Sequence, residues 1–297
     1  MHMAENQLYA ITDEGLQRLN IPAGVTNLNE LYAVLDLGVY SALRTFEHNK
    51  FLALEEHIAR TIRSMRVLGW EYGLDEPRLR RALDEAVTAY PAADARVRFD
   101  VLAGPGTAVG TNSRELIALT PFTPEPARNY VEGVGAHFVS GMIRGRPKAK
   151  TAEFAARRNR MLPSRDQAHY EYLLLDEDEH ILEGSLTNFW AVRDGVVYTA
   201  GAGVLEGVTR KILLELIPKL DLPLHLKAIT KSEIPTLDEA FLSGSSRAVV
   251  PVVTIAGKKV GNGRPGPIAR QILRAYQGYV SDHVRRATDP LNSVVDE

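Results

Sequence analysis

The sequence predicts an α+β fold, mixed α/β in character, arranged as two domains. Three observations predict it. Period-two and period-3.6 apolar patterns are interleaved along the chain, without the strict strand–helix alternation of a parallel sheet. Tight-turn sequences such as Arg193-Asp194-Gly195 and Ala256-Gly257 join neighbouring strands, so the pairing is expected to be largely antiparallel. The stretch Thr120-Pro121-Phe122-Thr123-Pro124-Glu125-Pro126 holds three prolines in seven residues, a density that leaves nothing regular. It reads as a linker over 121–130, between a smaller N-terminal domain (1–120) and a larger C-terminal domain (131–297).

The first domain opens with strands expected at Tyr40 to Phe46 and Lys50 to Leu54, around a turn at Glu47-His48-Asn49. Leu54, Ile58, Ile62, Met65 and Leu68 then recur at spacings of three and four, which predicts a helix ending before Gly69. Asp75 is the expected N-cap of a second helix, with Pro77 in its first turn and Leu79, Leu83 and Val87 on one face. Arg96 to Leu102 alternates as a strand does: Val97, Phe99 and Val101 one way, Arg96, Arg98 and Asp100 the other. Glu115 to Leu119 is a further short strand.

In the second domain, strands are expected at Val131 to Val139, Glu171 to Asp176, Asn188 to Val192 and Val196 to Thr199. Helices are expected at Thr209 to Leu220 and Pro267 to Val284. In the latter, Ile268, Ile272, Leu273, Tyr276 and Val280 form an apolar stripe.

Composition excludes several chemistries. Lys+Arg 35 against Asp+Glu 37 gives a net charge of -2, without the basic surplus that phosphate-backbone binding needs. The absence of cysteine excludes disulfides, thiolate metal sites and a cysteine nucleophile. No apolar run approaches the roughly 20 residues that span a bilayer. Met1 to Leu8 is polar and lacks the apolar region of a secretory leader, so a cytoplasmic protein is expected. The chain has 9 Lys against 26 Arg, so a lysine used for chemistry has few rivals.

Three segments of the second domain could carry chemistry. Leu205-Glu206-Gly207-Val208-Thr209 leads into a helix, where a glycine lets the backbone approach a ligand and free first-turn amides can hold an anion. Taken alone, a plain capped helix is the commoner explanation. Leu242-Ser243-Gly244-Ser245-Ser246 is a small, hydroxyl-rich turn after a strand; a solvated loop is its ordinary meaning. Glu183, placed after Ile181-Leu182, is a carboxylate in apolar surroundings that needs a cation or a proton, and a structural ion pair would explain it equally.

Taken together, the order and spacing of these segments are informative. Glu183-Gly184 with Asn188-Phe189, then Leu205 to Arg210, then Ser243 to Ser246 and Val250-Pro251-Val252, resembles the fold-type IV pyridoxal-phosphate aminotransferases. Gly38-Val39-Tyr40 and His57-Ile58-Ala59-Arg60 match near the start, so the resemblance covers nearly the whole chain. That family includes branched-chain aminotransferases, D-amino-acid aminotransferases, R-selective amine transaminases and aminodeoxychorismate lyase.

The resemblance implies a small N-terminal α/β domain, a larger C-terminal pseudo-barrel, pyridoxal 5′-phosphate between them, and a homodimer. It implies a Schiff-base lysine upstream of Glu183. The family register points to Lys150, 33 residues before it, with Lys148 as the fallback. Glu183 would face the pyridine nitrogen. Arg60, Val208, Thr209 and Ser245 would bind the phosphate, with Asn188, Leu205, Gly207 and Ser246 completing the cofactor site. Leu35, Tyr40, Arg98, Phe154 and Arg247 would meet the substrate.

Some positions depart from the family. Phe154 stands where many relatives carry Tyr; Leu35 and Ser41 stand where branched-chain enzymes have Tyr and Glu. Leu102-Ala103-Gly104 replaces the Thr-Arg-Gly motif of D-amino-acid enzymes. A substrate carboxylate would then need another arginine, from Arg44, Arg98, Arg144, Arg146 and Arg247, with Arg98 favoured by alternation and register. The resemblance implies transfer of an amino group between an amino acid, with a lean to branched-chain or aliphatic ones, and a 2-oxo acid. Lyase chemistry of the aminodeoxychorismate type, or D-amino-acid or R-amine transamination, is the alternative on the same scaffold.

Overall fold

The computed structural model describes residues 5–21, 31, 35, 37–163 and 166–286. The chain divides into two compact units. The first takes 1–123, 149–157 and 282–297; the second takes 124–148 and 158–281. The segment that carries Lys150 therefore packs with the first unit, although it lies well beyond the proline-rich stretch.

The first unit is a six-stranded antiparallel sheet. Its strands are β1 (Gln7–Thr12), β2 (Gly15–Leu19), β3 (Val39–Phe46), β4 (Lys50–Phe51), β5 (Ala95–Val101) and β6 (Glu115–Pro121), in the order β2-β1-β6-β5-β3-β4. Helices α1 (Leu54–Val67) and α2 (Glu76–Thr88) follow the predicted apolar stripes. Ile58, Leu79, Leu83 and Val87 pack with Tyr9, Leu43, Val97, Phe99 and Ile117 in one core. Asp75 caps α2 as expected, its carboxylate accepting from Arg78 N at 2.9 Å.

Two expectations move. The strand expected over Lys50 to Leu54 is cut to two residues, because Ala53 turns the chain into α1. Along the polar side of β5 exposure falls steadily: Arg96 is exposed, Arg98 half-buried and Asp100 only 2% exposed. β6 runs to Pro121, the first proline of the cluster, which still pairs with Ala95.

The second unit holds β7 (Val134–Phe138), β8 (Glu171–Leu175), β9 (Ile181–Gly184), β10 (Asn188–Arg193), β11 (Val196–Tyr198), β12 (Leu224–His225), β13 (Glu239–Gly244), β14 (Ala248–Ile255) and β15 (Lys258–Lys259). The strand expected from Val131 starts three residues later, because Pro126 opens a short helix, α3 (Ala127–Val131). Helix α4 (Ala152–Met161) follows the Lys150 segment, and α5 (Val208–Lys219) and α6 (Pro267–Arg286) match the predicted periodicity.

Pairing in this sheet runs β10-β13-β14-β7-β8-β9, and β9 returns to β10. The sheet is thus closed. Alternate side chains, among them Ala136, Leu173, Phe189, Ala191, Leu242, Val250 and Val252, fill one apolar core. Most pairings are antiparallel, but β7 runs parallel to both β8 and β14. The closing contact is a single pair, Asn188 opposite Glu183. These two residues, both singled out from sequence, therefore lie on the seam of the barrel.

Candidate active site

Lys150 is held in the first unit by its main chain. Its carbonyl accepts from Tyr40 N at 3.1 Å, and its N–H donates to Ser64 Oγ at 3.0 Å. Ala152 N donates to Gly38 O at 2.8 Å, and Thr151 bridges Val39, so 150–152 forms an extra strand-like edge on β3. Thr151 Oγ1 then accepts from Phe154 N, starting α4. A fixed backbone with a half-buried side chain leaves the amine to be aimed by its four-carbon stem. Its Nζ sits 4.8 Å from the centroid of the Tyr40 ring. Lys148, the fallback, is exposed in a turn.

Arg60 lies on the buried face of α1, only 4% exposed, and not on a solvated one. Its Nη2 donates to Ser41 Oγ at 3.0 Å and meets His57 Nδ1 at 3.3 Å. A guanidinium has only donors, so His57 Nδ1 must accept, and His57 is neutral. Burial, then the charges of Arg60 and Lys150, hold the His57 pKa well below the usual histidine value. Ser64 links the two basic residues. It accepts from Lys150 N, and its own hydroxyl donates to Arg60 O at 2.8 Å.

The second unit supplies a carboxylate and an anion cup. Glu183 is 2% exposed; its Oε1 accepts from Arg144 Nε at 2.7 Å and its Oε2 from Leu205 N at 3.1 Å. Leu205 O accepts from Asn188 Nδ2 at 2.9 Å, which ties the Glu183–Asn188 seam to the chain entering α5. Gly207 is the N-cap of that helix, and a Cβ there would stand 2.2 Å from Asn188 Oδ1. A larger residue there would have to push the Asn188 amide off its bond to Leu205 O. Thr209, in the first turn, is buried, and its Oγ1 has no hydrogen-bond partner among the described residues. An unsatisfied buried hydroxyl at a helix N-terminus suits a bound anion, so these residues fit the phosphate of the implied cofactor. Ser245 and Ser246 are half-buried in the turn joining β13 to β14.

The arginines proposed for a substrate carboxylate are mostly engaged. Arg44 pairs with Asp94 at 2.8 Å and lies over the Phe46 and Phe122 rings. Arg144 serves Glu183. Arg247, expected at the substrate, lies 3.7 Å from Glu171 and 3.9 Å from Glu125, against the Tyr170 ring. Its charge compensates buried carboxylates of its own unit. Arg146 is exposed. Arg98 is gripped by Asp100 and lies 4.0 Å from the Tyr40 centroid. Leu35 is buried among Leu8, Leu31 and Leu102, and Phe154 is buried on α4.

The chain matches the family model for amino-transferase class IV over residues 38–255. It belongs to that family. The aminotransferase is 27% identical to a D-alanine aminotransferase of Bacillus licheniformis over 249 residues, which is 82% of this chain and 87% of that protein. A branched-chain-amino-acid aminotransferase of Pseudomonas aeruginosa is 37% identical over 112 residues, 37% of this chain and 36% of that one. The fold is that of the branched-chain amino acid aminotransferase from Escherichia coli. That similarity has a TM-score of 0.71 at 21% identity and covers 92% of this chain and 93% of that one. The structure is thus a fold-type IV aminotransferase fold, and the chain is an aminotransferase.

Sequence reading named Ser41, His57, Asp100 and Glu171 without giving them partners, and it missed Ser64 altogether. Ser41, Ser64 and His57 are polar residues on buried faces, and their spacing along the chain does not announce which groups they meet. Asp100 and Glu171 are carboxylates inside strands, a signal of buried ion pairs that alternation alone assigns to solvent.

Proposed function

We propose that this aminotransferase moves an amino group between an amino acid with an aliphatic, branched-chain-type side chain and a 2-oxo acid, with Lys150 as its cofactor-bearing lysine. Its cofactor is pyridoxal 5′-phosphate. When bound, that group supplies an aldehyde that takes the amino group and a ring that accepts the electron pair released at the substrate Cα. Lys150 would hold the cofactor through Nζ, and its free amine would move a proton at the substrate Cα. Glu183 holds the proton on the pyridine nitrogen, and Arg144 keeps Glu183 oriented. Arg60, the Val208 N–H, Thr209 and Ser245 take the phosphate, with Ser246 beside them. Asn188, Leu205 and Gly207 shape the cup. Leu35, Tyr40, Arg98 and Phe154 line the substrate.

The observation that carries this proposal is the fixed main chain of Lys150, bonded to Tyr40 and to Ser64 of the Arg60 helix. The aliphatic lean is supported by the apolar neighbours of Tyr40, which are Leu37, Ala42, Ala152 and Ala155, and by the branched-chain relative. A homodimer belongs to the proposal on the resemblance, and a cytoplasmic location on the polar Met1 to Leu8 segment. No helix among the described residues is long and apolar enough to cross a membrane.

Borohydride reduction of the cofactor-loaded protein, followed by peptide mass mapping, tests the assignment. The phosphopyridoxyl mass should sit on Lys150. Lys150→Ala should lose the visible absorption band and at least about 10³-fold in activity, while Lys148→Ala keeps both. Label on Lys148 would refute the assignment.

A further inference from the structure

Tyr40, Ala42, Arg98 and Asp100 share one face of the first unit's sheet, because Tyr40 pairs Asp100 and Ala42 pairs Arg98 across β3 and β5. The Tyr40 ring is shared. Arg98 Cζ lies 4.0 Å from its centroid and Lys150 Nζ lies 4.8 Å from it. Arg98 and Lys150 are thus both packed against the same aromatic ring. The charge of Arg98 is already answered. Asp100 accepts from Nε at 2.9 and 3.1 Å and from Nη2 at 2.6 Å, with its side chain 1% exposed and that of Arg98 15% exposed.

We propose that Asp100 is a specificity-determining residue: by gripping the Nε–Nη2 edge of Arg98 it makes the wall beside Tyr40 and Lys150 electrically neutral, and so selects amino donors and acceptors with uncharged side chains. This inference rests on the proposed role of Lys150. A dicarboxylic substrate that brought its second carboxylate to this wall would meet one of two costs. It could displace Asp100, leaving a buried carboxylate without its cation. Or it could sit beside Asp100, where like charges repel at low local dielectric. An aliphatic side chain meets neither cost, and it packs on the Tyr40 ring. The selectivity is thus built by a repulsive element as much as by an attractive pocket. The pair has a second effect. It pins the long Arg98 side chain in one geometry against the ring, so the wall has a fixed shape.

The experiment compares two donors of similar length, racemic norleucine and racemic glutamate, by their kcat/KM ratio in the holoenzyme. Wild type should favour norleucine by at least about tenfold. Asp100→Asn removes the charge and keeps the shape, and should move the ratio toward glutamate by at least about tenfold. The double variant Arg98→Gln/Asp100→Asn removes both charges and should bring the ratio back toward the wild-type value. If neither donor turns over, or if Asp100→Asn does not fold, the same comparison is read from calorimetric binding of glutarate and valerate to the wild type and the double variant. Valerate should then bind the tighter of the two in both. A ratio unmoved by Asp100→Asn, a wild type that prefers glutamate, or tighter glutarate binding overturns the proposal. Failure of the Lys150 assignment shows separately, as phosphopyridoxyl label on another lysine.

Discussion

Thr209 carries a buried hydroxyl that no described residue satisfies, and that makes its energetics readable in both directions. Without the cofactor the hydroxyl is desolvated for no return, which costs on the order of 1–3 kcal/mol. Thr209→Val keeps the shape and removes the cost. Thermal melts of the cofactor-free variant should therefore show stability equal to or above wild type. The same change should weaken pyridoxal-phosphate affinity by about tenfold, the worth of one hydrogen bond to a charged group. A destabilised cofactor-free variant would mean that the hydroxyl already has a partner. At this scale the sequence was legible in kind but not in pairing. The family spacing singled out Lys150, Arg60 and Glu183, yet Arg144 looked like a substrate arginine until the fold brought it to Glu183 across 39 residues. Ser64 is 86 residues from Lys150, and no local pattern announces so distant an acceptor.

The seam between β9 and β10 is the element that holds the buried Glu183 carboxylate, and a buried residue of β8 fastens it. Glu171 is fully buried and accepts from Tyr172 N at 2.9 Å, Ser185 Oγ at 2.8 Å, Thr187 Oγ1 at 2.9 Å and Leu186 N at 3.3 Å. Arg247 stands 3.7 Å away. Gly184 is required in this turn, because a Cβ would stand 2.3 Å from Thr187 Oγ1 and 2.7 Å from Glu171 Cγ. Glu171→Gln keeps the volume but exchanges an acceptor oxygen for a donor that faces other donors. It should cost about 2–4 kcal/mol of urea stability, and amide exchange at 185–188 should accelerate more than in β14. Uniform exchange along the barrel would count against a local fastening role. Elements were more legible than such contacts. The helices at Leu54, Glu76, Val208 and Pro267 declared themselves through periodicity and caps, and the Asp194-Gly195 hairpin through turn chemistry. The parallel placement of β7 between β8 and β14 did not, because strand pairing is decided by the whole sheet.

Over the whole molecule, buried histidines and a hydrogen-bonded carboxylate respond to acid in different pH windows. His57, in the first unit, is buried and accepts from Arg60; burial first, then Arg60 and Lys150, hold its pKa far below 6.5. In the unfolded chain the same imidazole takes a proton near pH 6.5, while the folded one does not. The unfolded state then binds more protons, so stability falls as pH drops below 6.5, by up to about 1.4 kcal/mol per pH unit. His137 of the second unit is shifted the same way by burial, though less. Glu233, also in the second unit, is pushed down to about 2 by the Thr230 N–H and by Arg193. Its contribution is intact above pH 4.5 and is lost as pH falls from there toward 2. Acidification from pH 7 to 5 should therefore loosen the first unit before Glu233 begins to titrate. Hydrogen exchange at 57–64, followed in the cofactor-free protein at pH 7 and pH 5 and corrected for the intrinsic pH dependence of exchange, checks this. His57→Asn offers Arg60 a neutral acceptor that does not titrate, and it should flatten the loss of protection between those two pH values. A variant that loses protection as steeply as wild type would show that His57 is not the group responsible.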